Sequence, residues 1–326
     1  MAGREWFGTG HHPIFARPIR LQRDLAMSIT RHPRNRLAVW PVRGDIGGMN
    51  VLLSLGHGYS AQALTRRLIP LGWRVIGTSR SADHAAAIAA MGVQPLIWGD
   101  DLSGVVAQAT HILSSIAPDA AGDPALRLYG HILRGAPAGW VGYLSTTAVY
   151  GHHDGNWVDE STALAPTTAR GAARVKAEAE WLATGLPLQI FRLAGIYGPG
   201  RGPFEKVRDG SARRIFKPGQ VFSRVHVEDI AATLLGSIRH PDPGAVYNVC
   251  DDDPASPEDV LSLAARLLNL PEPPMVRFED AEMTPMARSF YAENKRVRND
   301  RIKADLGVKL LYPTFREGLA SMMRPE

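Results

Sequence analysis

The sequence is short of cysteine: Cys250 is the only one in 326 residues. That excludes an internal disulfide framework and a multi-cysteine zinc site, and it suits a reducing compartment. The expected location is therefore cytoplasmic. No stretch approaches the roughly 20 apolar residues of a membrane-spanning helix, and neither an internal repeat nor a low-complexity tract is present. The net charge of +5 is also less than it looks. Residues 1–48 hold eight arginines, no lysine and three acids (Glu5, Asp24, Asp45), which accounts for the whole excess. The remainder is balanced and offers no global pull on nucleic acid or an anionic membrane. Neither is expected as a partner.

What is present is ordinary globular composition, 45% hydrophobic and 21% charged. At roughly 150 residues per domain, the length allows about two domains, or one large unit with an appendage. Residues 1–48 have no sustained period. Prolines 13, 18, 33 and 41 interrupt them, and glycines 44, 47 and 48 close them. They carry no apolar core for a secretory signal. An Arg-rich, acid-poor start suits an organellar transit peptide, but serine is scarce. The segment is expected to be a disordered, dispensable extension, with the fold starting at Met49.

From Met49 the pattern alternates. Met49–Leu55 is a continuous apolar strand. A helix follows with Leu64, Leu68 and Leu71 on one face, ended by Gly72. Strands are expected over 73–77, 93–98, 110–116, 140–144 and 188–193. Helices are expected over 81–91, 123–133 and 167–184. Strands alternating with helices of this length imply a parallel sheet covered on both faces. After Gly195 the rhythm loosens, with strands near 221–227 and 245–249 and helices near 229–239, 259–268, 299–306 and 314–323.

Gly56-His-Gly58-Tyr-Ser-Ala61 has the form G-x-G-x-x-A between a strand and an amphipathic helix, as a dinucleotide-binding turn requires. Gly56 permits the tight turn. Gly58 lets a pyrophosphate approach the backbone, and the N–H groups at Tyr59 and Ser60 open the helix. The second strand ends Thr78-Ser79-Arg80. It lacks the acid that usually reads the ribose of NAD, whereas Arg80 with Ser79 suits a 2′-phosphate. NADP(H) is therefore favoured over NAD(H). Asp101, beside Asp100 after the third strand, either meets the adenine end of the cofactor or caps the next helix.

Tyr143-Leu-Ser-Thr-Thr-Ala-Val-Tyr-Gly151, Val158-Asp-Glu160 and a helix carrying Lys176 resemble the short-chain dehydrogenase/reductase superfamily, in its extended epimerase/dehydratase branch. Phe191-Arg-Leu-Ala-Gly-Ile-Tyr-Gly-Pro-Gly200 and Val225-His-Val-Glu-Asp229 fit the same branch, so the resemblance covers about 49–323. It implies a Rossmann-type, doubly wound α/β domain over 49–195 with parts of about 221–250. A smaller, discontinuous substrate lobe would come mostly from about 196–326. It also implies that Thr146, flanked by Ser145 and Thr147, holds the substrate oxygen. In that family a helical Tyr-x-x-x-Lys supplies the acid/base and the ribose contact. Lys176 matches the lysine, but Ala172 stands where the tyrosine belongs. Tyr150, His152, His153 and Tyr197 are conceivable substitutes. His226 and Asp229 read as structural, with Asp229 capping the next helix. Arg192 belongs at the sheet edge, and the basic run Asn294–Asn299 could meet an acidic substrate. The expected function is an NADP(H)-dependent oxidoreductase or epimerase-like enzyme acting on a carbonyl or alcohol of a small molecule, a sugar nucleotide among the candidates. The alternative is an NADP(H)-binding sensor or scaffold without turnover.

Overall fold

The structure, a computed structural model, describes residues 49–323. The expectation for residues 1–48 lies outside them. The alternation read from the sequence appears as β1 (Val51–Leu55), α1 (Tyr59–Leu68), β2 (Arg74–Ser79), α2 (Ala82–Ala89) and β3 (Gln94–Ile97). Next come α3 (Ser103–Val106), β4 (His111–Ser114), α4 (Pro124–Leu133) and β5 (Trp140–Thr146). A two-residue β6 (Trp157–Val158) precedes the long α5 (Ala169–Leu182) and β7 (Leu188–Leu193). Seven strands form one parallel sheet in the order β11-β7-β5-β4-β1-β2-β3, where β11 is Val246–Val249. This is a doubly wound α/β sheet of Rossmann type.

The apolar runs of β1, β5 and β7 are buried along their whole lengths, because helices cover both faces of the sheet. One face packs Leu64 and Leu68 of α1 against Ile230 and Leu234. The other packs Tyr129 and Leu133 of α4 against Ala177 and Trp181 of α5. Local signals set the helix ends. Asp123 accepts hydrogen bonds from Ala125 N and Leu126 N ahead of a proline at the first turn of α4, a strong start signal. Leu71 departs from expectation: it is 56% exposed. Pro70 tightens residues 69–71 into a separate 3-10 turn before the left-handed Gly72.

Beyond β7 the elements are short: β8 (Gly195–Tyr197), α6 (Phe204–Arg208), β9 (Arg214–Phe216), β10 (Arg224–His226) and α7 (Val227–Arg239). After β11 follow α8 (Pro257–Leu267), β12 (Met275–Arg277), α9 (Pro285–Phe290), β13 (Arg296–Val297), α10 (Asp300–Leu306) and α11 (Phe315–Ser321). β8, β9 and β6 each pair with one distant strand, β10, β12 and β13 respectively. Val207, Ala264, Phe315 and Leu319 form a separate small core here. The start of α7 corrects the expected role of Asp229. His226 caps the helix, its Nδ1 accepting from Glu228 N at 3.2 Å. The buried Asp229 carboxylate instead accepts from Leu311 N (2.6 Å) and Tyr312 N (3.1 Å), tying the C-terminal segment to α7.

Candidate active site

The chain order of the sheet reverses between β1 and β4, and ligands of open α/β folds bind at such a switch point. Gly56 follows β1 with φ of +77°, and a Cβ there would lie 2.6 Å from Ile116 Cγ1. Glycine is thus required for both conformation and space. The turn is tied to β2: Gly56 N donates to Thr78 Oγ1 (2.8 Å) and His57 N to Thr78 O (3.0 Å). Above Gly58 the space is open, the nearest atom to a built Cβ being Gly56 O at 4.0 Å. Helix α1 begins there with no side-chain cap and no acid in its first turn. Its leading N–H groups at Tyr59 and Ser60 are left for an anion. Ala61 is fully buried, as close helix–strand packing requires. The arrangement fits a dinucleotide pyrophosphate.

A cavity of about 640 Å³ opens from this turn. Gly58, Tyr59 and Ser60 line it, together with the Leu144–Ala148 stretch and with Phe290, Glu293 and Lys295. Thr146 ends β5 and faces the cavity, its Oγ1 accepting from Ala148 N at 3.3 Å. Ser145 and Thr147 line it too, with the Ser145 hydroxyl donating to the buried Glu178 carboxylate.

Ser79 ends β2 and Arg80 follows it, both outside this cavity. Ser79 Oγ is engaged with Ser81 O and His84 Nδ1, both at 3.0 Å. Arg80 is exposed, and no side-chain hydrogen bond or ion pair holds it among the described residues. Of the two roles open to Asp101, its hydrogen bonds record the local one. Its Oδ1 accepts from Ser103 N (2.9 Å) and Oγ (2.6 Å) at the start of α3, which holds the carboxyl below its usual range. It does not line the cavity.

Helix α5 requires the main correction. Lys176 and Ala172 sit on its exposed face. Lys176 Nζ donates to Ala121 O at 3.0 Å, and neither residue lines the cavity. The face turned toward the site carries Gly171, Arg174 and Glu178, with Arg170 at its rim. The reason is the burial of Gly171, Ala177, Glu178 and Trp181. At about 100° per residue, Lys176 lies some 200° from Arg174. A Cβ at Gly171 would be 2.7 Å from Ala148 O, so α5 presses directly on the turn after Thr146. Arg174 Nη1 donates to Leu144 O, to Tyr143 Oη (3.0 Å) and to Ile116 O (3.4 Å). The i, i+4 pair facing the cavity is therefore Arg170 and Arg174. A guanidinium stays charged near neutrality and does not serve as an acid or base there.

The conceivable substitutes are placed elsewhere. Tyr150 is buried, its Oη donating to Asn248 Oδ1 (2.7 Å) and accepting from Arg192 Nη1 (3.0 Å). Burial pushes its phenol up to about 12. Arg192 is likewise buried rather than at a ligand-binding edge, in a two-point pair with Glu178 at 2.7 and 3.1 Å. His152 pairs with Asp154 and His153 with Tyr150 O, both outside the cavity. Tyr197 lines it, but its hydroxyl is packed at Gly318, and burial raises its pKa. From the run Asn294–Asn299, Lys295 and Val297 reach the cavity. The sequence reading missed Arg170, Arg174, Arg201, Arg224 and Glu293, the ion-pair partner of Lys295 (2.7 Å), as cavity residues. For the first two, the helical phase of Trp181 and Ala177 was the available signal.

No family model matches the chain. It is 28% identical over 281 residues to the protein YeeZ of Escherichia coli (strain K12), spanning 81% of this chain and 97% of YeeZ. A functionally unknown conserved protein from Silicibacter pomeroyi is 59% identical, with a TM-score of 0.81 over 84% of this chain and 98% of its own. A protein of Methylobacillus flagellatus described as a candidate NAD-dependent epimerase/dehydratase is 28% identical, with a TM-score of 0.65 over 85% and 98%. By fold and by these likenesses, the chain is similar to the extended short-chain dehydrogenases/reductases of the NAD-dependent epimerase/dehydratase kind.

Proposed function

We propose that the chain binds NADP(H) and acts as an oxidoreductase or epimerase-like enzyme on a carbonyl or alcohol of a small molecule. One observation carries this reading: the uncapped start of α1 and the Thr146 hydroxyl face a single cavity at the sheet's switch point. Bound NADP(H) would supply or accept hydride at its nicotinamide ring. The backbone at Gly56, Gly58, Tyr59 and Ser60 would hold the pyrophosphate. Arg80, with Ser79 behind it, is the cation available to a 2′-phosphate. Thr146 is the hydroxyl available to the substrate oxygen. Arg174, anchored on Leu144 O and Tyr143 Oη, is the fixed positive charge of α5 available to the bound cofactor. We assign no cofactor role to Lys176 or Asp101.

The sensor reading retains one supporting observation. Both members of the helical pair are guanidinium groups, and neither exchanges a proton near neutral pH. Calorimetric titration with NADPH and NADH tests the cofactor. NADPH is expected to bind more tightly, and Arg80→Ala should cost about 1.5–3 kcal/mol of that binding, since a charge-assisted contact is lost. Equal affinities would remove the NADP preference, and no binding of either would overturn the whole reading. Turnover on aldehydes and ketones that falls in Thr146→Ala favours the enzyme. NADPH binding without turnover favours the sensor.

A further inference from the structure

Arg170, Arg174, Arg201 and Arg224 all line the cavity, and none makes an ion pair within 4.0 Å among the described residues. Glu293 is the only acid in the lining. It is already satisfied by Lys295 Nζ at 2.7 Å and Thr167 Oγ1 at 2.8 Å. The buried Asp251, whose N–H donates to Arg224 O (2.7 Å), has its carboxyl pushed up by burial, and its oxygens form no ion pair with the Arg224 guanidinium within 4.0 Å. Uncompensated cations in a partly dry cavity are costly, and a bound anion removes that cost.

The four arginines divide by position. Arg201 lies over the Tyr59 ring, 5.8 Å from its centroid, beside the glycine turn where the cofactor's own phosphates belong. Arg174 spends its Nη1 on three protein acceptors. The other two lie by the Phe290–Tyr291 segment, Arg170 over Phe290 and Arg224 over Phe222, whose ring meets Tyr291. Arg170 stacks on Phe290 at 4.3 Å and makes no side-chain hydrogen bond among the described residues. Arg224 Nη1 is held by Phe222 O (2.8 Å) and Ala255 O (2.9 Å), which fixes the fork, while its Nε and Nη2 have no partner among the described residues. A planar fork with free donors matches a carboxylate or phosphate.

We infer that the substrate is an organic anion, its carboxylate or phosphate held by Arg224 and Arg170 in this cavity. The inference rests on this cavity being the reaction site proposed above. The test uses the full chain saturated with NADPH, and melting temperature is read against matched probe pairs. Cinnamate is compared with cinnamamide, levulinate with its methyl ester, and glyceraldehyde 3-phosphate with glyceraldehyde. At least one anion should stabilise the protein where its neutral partner does not, and that shift should fade with added salt. Whether carboxylates or the phosphate stabilise identifies the oxyanion. Arg170→Gln is exposed and should fold normally. It and Arg224→Lys should each weaken anion binding tenfold or more while leaving NADPH affinity within twofold. Anions no better than their neutral partners would overturn the inference, as would wild-type anion affinity in both variants. A failed NADPH titration, with anion stabilisation still seen on the unloaded protein, would instead count against the cofactor reading alone.

Discussion

Gly77 sits in the middle of β2, directly beneath the His57 ring. A Cβ built there falls 2.7, 2.8 and 2.9 Å from His57 Cγ, Cβ and Nδ1. The ring has little room to retreat, because His57 is 1% exposed, its Nε2 lies 3.4 Å from Thr65 Oγ1 on α1, and its N–H is bonded to Thr78 O. Overpacking of this kind costs about 1–3 kcal/mol. Replacing a strand glycine regains about 0.5–1 kcal/mol of backbone entropy. Because His57 cannot retreat, the upper half of that overpacking cost applies, and Gly77→Ala should lose about 1–2.5 kcal/mol net, or about 2–6 °C in Tm for a domain of this size. Since His57 belongs to the phosphate-binding turn, NADPH affinity should fall as well. The diagnostic variant is the double one. His57→Ala leaves a void and costs stability alone, but in Gly77→Ala/His57→Ala the methyl enters that void. The two costs should then couple by 0.5 kcal/mol or more. Thermal and urea unfolding of the four proteins measure this. A neutral Gly77→Ala, or costs that simply add, would refute the packing argument.

The other consequences can be checked independently. His57 and His226 are buried with pKa values lowered from 6.5 to about 4, mainly by desolvation. The unfolded chain binds their protons first, so stability should fall as pH drops from 6.5 to 4, by on the order of 3 kcal/mol for each histidine. Urea unfolding at pH 7, 5.5 and 4.5 reads this, and an unchanged slope in His57→Gln/His226→Asn would refute it. Arg192→Met strands the Glu178 carboxylate (side chain 4% exposed) and should cost about 3–5 kcal/mol; a loss under 1 kcal/mol in urea unfolding would show that Glu178 finds another partner. Arg80→Ala should weaken NADPH but not NADH binding in parallel calorimetric titrations, and an equal loss for both would remove the 2′-phosphate assignment.

How much could be read from the sequence depended on what fixed each element. β1, α1, β2 and α4 were legible because their burial is one-sided or complete and their ends carry local signals: Gly72, the Asp123 cap, Pro124. The glycine turn was legible for the same reason, since its requirements are those of its own backbone. The region after β7 was not. β8, β9, β12 and β13 have two or three residues each, and every one pairs with a strand far away in the chain. No short-range period marks such a strand. Asp229 shows the same limit: an acid after Val-His-Val reads as a cap, yet its partners are Leu311 and Tyr312, some eighty residues on. Arg224 and Lys295 are cavity residues only because of these long-range pairings.

The misread register of α5 has a different cause and yields the sharpest test. The only lysine in the helix is Lys176, and matching the family by residue type selects it. The helix is positioned by what it buries, and Trp181, Glu178, Ala177 and Gly171 place Arg174 toward the site and Lys176 toward solvent. Position 172, two residues before Arg174 and one helical turn before Lys176, shares the exposed face. Ala172→Tyr should accordingly leave stability, NADPH affinity and any turnover unchanged. Arg170→Tyr/Arg174→Lys instead sets a phenol and an ammonium on the face that lines the cavity. The lysine charge beside the phenol lowers its pKa, and general acid–base catalysis is worth roughly 10²–10⁴-fold. A gain in carbonyl reduction is therefore expected, provided the protein still melts within a few degrees of wild type and binds NADPH. The substrate for that assay should be neutral, because the same double change removes Arg170 from the anion site. Activity gained by Ala172→Tyr and not by the double variant would show that the family's pair does sit at 172 and 176, and that the burial pattern of α5 is not what orients the site.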